Sequence, residues 1–308
     1  ATGIELYDAG EIDRVNLVGD FVSQRQNDTD AITIFDTTVY YLMFNIANGG
    51  IVNNAPHLDE SAGNNLFDNL KIRQALAYQI DKSYIADVIL NDGSIAANSF
   101  IPSNYLSYDG IPFESVRNDG YMLVNKEKAK SLFQEGMREL GYEPGDNHLT
   151  IELINYETST AKLILEYIKQ EFNELFKDYG ITINLIALPL AQKLPKYQTG
   201  DFELTFSRWI PDYDWPTTYL DKWLSNNAYN LVGYSNSEYD ALVMQSNKTK
   251  DEAFSDLQKA EGIVLNEAAI IPIYQAAGTY LQNPSIHNVY YYLSGYKSSF
   301  KWAVKDLN

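Results

Sequence analysis

Residues 207–220 read "SRWIPDYDWPTTYL" and bring Trp209, Asp212, Tyr213, Asp214 and Trp215 within seven positions. Carboxylates set beside indole and phenol rings suit more than one chemistry. An ammonium group is satisfied by an ion pair with hydrogen bonds, and aromatic faces add cation–π attraction. Equally, Asp212 can cap the helix that follows while Trp209 and Trp215 serve as packing. The residues alone leave both readings open. A carboxylate pair flanking a sugar bond is a further option. Against it, Asp212 and Asp214 are not expected to face one bond.

Other reactive constellations are missing. The His residues are His57, His148 and His287, without a partner at metal-ligand spacing, and there is no Cys. Nitrogen- or thiolate-held metals and disulfides are therefore not expected. No G-x-S-x-G elbow, Gly-rich phosphate loop or H-E-x-x-H motif occurs, so no enzyme activity and no cofactor is expected. The balance of 23 Lys plus Arg against 41 Asp plus Glu gives a net charge of -18, which repels phosphate backbones and anionic membranes and excludes nucleic acid as a partner. The 24 Tyr are a heavy load, suited to partly wet binding surfaces or to cores and sheet faces.

The elements that position the corner follow from periodicity. Residues 31–46 are β-branched and aromatic and read as a strand, followed by a Gly- and Asn-rich excursion over 47–65. In 66–90, Ile72, Leu76, Ala77, Ile80, Ile85 and Ile89 fall near one helical face, and Asp81 is expected to cap a second short helix. Residues 93–124 read as irregular and 125–140 as a surface helix stopped by Gly141. "HLTIELINY", the amphipathic run up to Gly180 and "ITINLIALP" form a strand–helix–strand unit with a parallel crossover. A short helix near 190–199 leads to the strand "DFELTFSRW", which delivers the corner at its carboxyl end, where α/β folds place ligands. Beyond it come a short helix at "TTYLDKWLS", a helical pair, the apolar strand "AAIIPIYQ" and an aromatic, extended tail. The opening "ATGIELYDAGEIDRVNL" reads as the middle of a domain, so an upstream part is expected to precede it.

Several segments together resemble the oligopeptide-binding members of the extracellular solute-binding proteins that serve ABC importers. They are "LYDAGEIDRVNL", "VYYLMFN", the run F-D-x-x-x-I-R-Q-A-L-A-Y-x-I-D-K, the "GYEPGD" turn, the W-x-x-D-Y-x-x-P corner, "YSNSEYDALV" and "IIPIY". Their fixed order spans nearly all 308 residues. The resemblance implies an α/β, periplasmic-binding-protein-like fold (type II, cluster C). It would comprise mostly the second lobe, with a mixed sheet and flanking helices, plus edges of the first. Residues 1–38 would end lobe I, 39–281 form lobe III, the peptide-binding α/β lobe, and 282–308 return to lobe I.

It further implies a non-catalytic, monomeric protein outside a Gram-positive cell, anchored as a lipoprotein through a preceding segment. Such a protein delivers oligopeptides to an ABC permease by clamp closure. Asp212 would hold the peptide's α-ammonium, with Trp209 and Tyr213 walling the pocket and Tyr40 or Tyr41 near the ligand. Family members can carry Arg in the strand before the corner for the peptide carboxylate. Here Tyr197 and Phe206 stand where cations are expected, and Arg208 is taken to alternate away from them. That pattern points to length-tolerant binding. Alternatives are a pheromone, an oligosaccharide stacked on Trp209 and Trp215, or a metal chelate.

Overall fold

The computed structural model describes residues 2–46, 51–52, 55–56, 66–116, 123–145, 147–199, 201–244, 248–292 and 298–306. His57 and most of the predicted excursion 47–65 lie outside them. A seven-stranded mixed sheet organises the chain. Its strands are β1 (Arg14–Leu17), β2 (Ala31–Phe44), β3 (Ile95–Ala96), β4 (Leu149–Tyr156), β5 (Ile181–Leu188), β6 (Leu204–Trp209) and β7 (Ile270–Gln282). The order is β1-β7-β2-β6-β4-β5, with β3 also on β7. Strand β2 runs antiparallel to both β6 and β7, whereas β6, β4 and β5 are parallel.

The helices are α1 (Thr2–Asp8), α2 (Asp20–Arg25), α3 (Leu70–Gln79), α4 (Lys126–Glu139), α5 (Ser159–Phe176), α6 (Leu190–Thr199), α7 (Thr217–Leu220), α8 (Ser237–Val243) and α9 (Lys250–Asn266). The predicted strand–helix–strand unit is β4–α5–β5. Thr158 caps α5 by accepting the Ala161 N–H at 3.1 Å, and Gly180 ends the helical segment in the left-handed region at φ 62°, just before β5. Asp81 accepts the Tyr84 N–H at 3.0 Å as expected, but the helix it opens passes after one turn into a π-helical run, Ile85–Leu90.

Both sheet faces are covered along the carboxyl half of β2, which is largely buried on both sides there. Leu42 and Phe44 enter a core with α3, α4 and α5, which includes Phe133, Ile164, Phe172 and Phe176. Val39, Tyr41 and Met43 point the other way, into a core with Phe100, Tyr219, Trp223 and Leu257. Each such side chain contributes on the order of 1.5–3 kcal/mol. A small third cluster joins Ile4, Leu17 and Val22 of the first predicted edge segment to Leu281, the residue just before the other edge segment begins. Those segments also meet through Asp13, which accepts Asn283 Nδ2 at 2.9 Å and Lys305 Nζ at 2.7 Å. The boundary expected at 38/39 falls inside β2, which runs unbroken, and that at 281/282 falls at the last residue of β7.

Candidate ligand-binding site

Strand β6 pairs with β4 only at Leu204 and Thr205, yet continues along β2 to Trp209. Beyond Thr205 its β4-side edge thus has no strand partner, although Phe206 and Ser207 are buried and Lys193 Nζ engages the Phe206 carbonyl. Chain alternation there sends Phe206 and Arg208 to the α5 face and Ser207 and Trp209 to the other. This corrects the expectation that Arg208 points away from Phe206: residues two apart on a strand share a face, and both line one cavity of about 490 Å³. Tyr40, Asp36, Asp92 and Tyr274 line it too. Tyr40 stacks on Tyr274 with ring centroids 4.4 Å apart, and Arg208 Nη1 donates to Tyr40 Oη at 3.1 Å. That bond holds the Arg208 pKa above its ordinary value. A smaller cavity, about 150 Å³, continues past Tyr156 and Thr158, and Thr158 also lines one of about 360 Å³ against α5. A groove therefore crosses the carboxyl ends of the parallel strands β4 and β6 and the middle of β2 and β7.

Tyr41 has no part in it. It is fully buried on the opposite face, edge-on to Phe100 at 5.1 Å and to Trp223 at 6.0 Å, and burial pushes its phenol far up. Of the two tyrosines, Tyr40 faces the groove. Tyr197 is also on the far side, where its hydroxyl lies 3.9 Å from Met43 Sδ.

Beyond Trp209 the chain bends rather than extends, so strand alternation does not govern Asp212 and Asp214. Their surroundings still separate them. Asp214 accepts Tyr105 Oη–H at 2.8 Å. The Asp212 side chain is exposed and has no hydrogen-bond or ion-pair partner among the described residues; only its backbone N–H is engaged, donating to Thr218 Oγ1 at 2.8 Å. Asp212 does not cap α7, whose first turn follows Pro216 without a side-chain cap. Tyr213 is half exposed beside it, its hydroxyl 3.0 Å from Thr217 Oγ1, with its pKa raised by burial.

The indoles differ from expectation. Trp209 packs on the face away from Arg208, donating Nε1–H to the Thr218 carbonyl at 2.6 Å and meeting Tyr229 edge-on at 6.0 Å. Trp215 packs against Tyr108 and Phe254 at centroid distances of 6.1 and 6.0 Å. Neither walls the 490 Å³ cavity.

Sequence reasoning missed two buried cations beneath β6. Lys193, on α6, is 1% exposed; it donates Nζ to the Phe206 carbonyl at 2.7 Å and lies 4.0 Å from the Tyr156 ring centre. Lys222, 4% exposed, donates to Tyr197 Oη at 3.2 Å and lies 4.8 Å from the Trp209 ring centre. Burial pushes Lys193 down to about 7 and Lys222 to about 8. The signal was slight: Lys222 stands between Leu220 and Trp223 in "TTYLDKWL".

No group of described residues is arranged to hold a metal ion, and His287 pairs with exposed Asp306 at 2.8 Å. No helix among the described residues is long and apolar enough to cross a membrane.

The model of the bacterial extracellular solute-binding proteins, family 5, middle region, matches residues 1–230. The chain belongs to this family. A solute-binding protein is not an enzyme, and the relatives fit that: each is named for what it binds. The dipeptide-binding protein DppE of Bacillus subtilis is 29% identical over 99% of this chain and 52% of its own. Among solved structures, an oligopeptide ABC transporter substrate-binding domain from Bacillus anthracis is 30% identical, covering 99% of this chain and 56% of that one, with a TM-score of 0.77. Listeria monocytogenes OppA, solved bound to peptide, is 27% identical over 100% and 56%, with a TM-score of 0.76. These likenesses confirm the binding-protein fold expected from the sequence. The chain spans about half the length of these three relatives.

Proposed function

We propose that this chain forms the peptide-holding lobe of an oligopeptide-capturing component of an ABC importer. The observation that carries the reading is the exposed Asp212 carboxylate, which has no side-chain partner among the described residues and follows shortly after β6, whose β4-side edge has no strand partner beyond Thr205. An extended peptide can add to that edge through its backbone, independently of side chains, while a carboxylate takes its free ammonium. Arg208, with no carboxylate partner among the described residues, offers the groove a cation for a ligand carboxylate. Closure of a partner lobe over this groove would complete the clamp. The sugar reading loses its stacking platform, because Trp209 and Trp215 are both engaged in packing.

The test is native mass spectrometry against a pool of four- to ten-residue peptides, half of each acetylated at the amino terminus. Free-amine forms should be retained selectively. A charge-assisted hydrogen bond contributes roughly 1.5–3 kcal/mol, so Asp212→Asn should weaken binding about tenfold to a hundredfold. Equal retention of both forms, or unchanged affinity in the variant, would remove Asp212 from the mechanism.

A further inference from the structure

Resting on that reading of Asp212, we propose that Thr218 is its positioning residue, and that amine selectivity depends on the Thr218 hydroxyl. The Asp212 carboxylate touches no described partner, so its direction is set through its backbone alone. Thr218 controls that backbone from both flanks of the bend. Its Oγ1 accepts the Asp212 N–H at 2.8 Å, its carbonyl accepts Trp209 Nε1–H at 2.6 Å, and its own N–H donates to the Trp215 carbonyl at 3.1 Å.

The support behind Thr218 is buried and tied to the sheet. It is 4% exposed, and the next residue, fully buried Tyr219, donates its hydroxyl to the Thr37 carbonyl on β2 at 2.6 Å. A bend tied to the sheet in this way presents its carboxylate preorganised, so little ordering cost falls on ligand binding. Removing the one acceptor of the Asp212 N–H leaves the carboxylate in place but lets it wander. Selectivity for an ammonium then falls while backbone-mediated affinity persists.

Thr218→Val keeps the shape, carbonyl and amide of the residue and deletes only the hydroxyl; Thr218→Ser restores it. Two measurements on the whole chain decide the matter. Hydrogen exchange at the Asp212 amide should speed up at least several-fold in Thr218→Val and stay near the unaltered rate in Thr218→Ser. With the same half-acetylated peptide pool, the free-amine preference should fall toward one in the Val variant and return in the Ser variant. Trp209→Phe, which removes the indole donor together with part of the ring that packs on Tyr229, should move both readouts in the same direction by less and covers the case in which Thr218→Val fails to fold. Unchanged exchange and unchanged preference in Thr218→Val would overturn the proposal while leaving Asp212 as anchor. A lack of preference in the unaltered chain would overturn the Asp212 reading and this proposal with it.

Discussion

Replacing both Lys193 and Lys222 with Met should abolish a rise in stability that is expected of the unaltered protein between about pH 8 and 10. Both ammonium groups are buried among aromatic rings, with no carboxylate partner among the described residues. Burial holds their native pKa values at about 7 and about 8. In the unfolded chain a lysine titrates near ~10.4. Between the native and unfolded values the unfolded state binds more protons, so stability increases with pH. The slope reaches about 1.4 kcal/mol per pH unit for each lysine, or about 5 kcal/mol for the pair across two units. At pH values well below about 7 both states carry both charges and the slope vanishes. Ring attraction favours the charged form and moves the onset upward without reversing the sign. Buried Tyr41, Tyr219 and Tyr239, whose phenols are pushed up by burial, contribute stability that is lost only above about pH 10. Urea midpoints measured from pH 6 to 10.5 for the unaltered chain, each single variant and the double variant would resolve the two contributions. A flat or falling profile between pH 7.5 and 9.5, or an equal rise in the double variant, would refute the reasoning.

Two further outcomes concern how the sheet's helical cover is assembled. A Cβ added at Gly136 on α4 would lie 2.6 Å from Ile72 Cγ1 and 2.8 Å from Asn69 Oδ1, the atom that caps α3. Gly136→Ala should therefore cost about 1–3 kcal/mol, seen as a lower urea midpoint with helical circular dichroism retained; an unchanged midpoint would show that α3 and α4 can separate freely. Arg73 donates to the Glu267 carbonyl at 3.1 and 2.7 Å, to Phe67 at 2.6 Å and to Asp68 at 3.0 Å. Arg73→Met leaves these carbonyls without their donor and should cost at least about 3 kcal/mol in the same assay; a loss under about 1 kcal/mol would mean that water replaces the guanidinium.

The order of elements was legible because each carries a local signal: Thr158 and Gly180 bracket α5, and the apolar run at Ile270 marks β7. The corner's place at the end of β6 followed from that order. What strand alternation cannot say is which face is the groove. On β2 both faces are apolar and covered, so Tyr40 and Tyr41 were separable only once the helix α5 was seen on one side and Trp223 on the other. The misplacement of Arg208 has a different origin, since its parity with Phe206 was already in the sequence. Tyr197, treated as the companion of Phe206, belongs to α6 on the far side, and grouping residues by proximity in sequence hid the shared face. The lysines were illegible for a third reason. Lys222 is enclosed by Tyr197, Trp209, Trp223 and Tyr229, and Lys193 by Tyr156 and Tyr197, so each aromatic cage is assembled from separate segments. A solvent made of rings exists only after folding, and part of the heavy Tyr content is spent on making it.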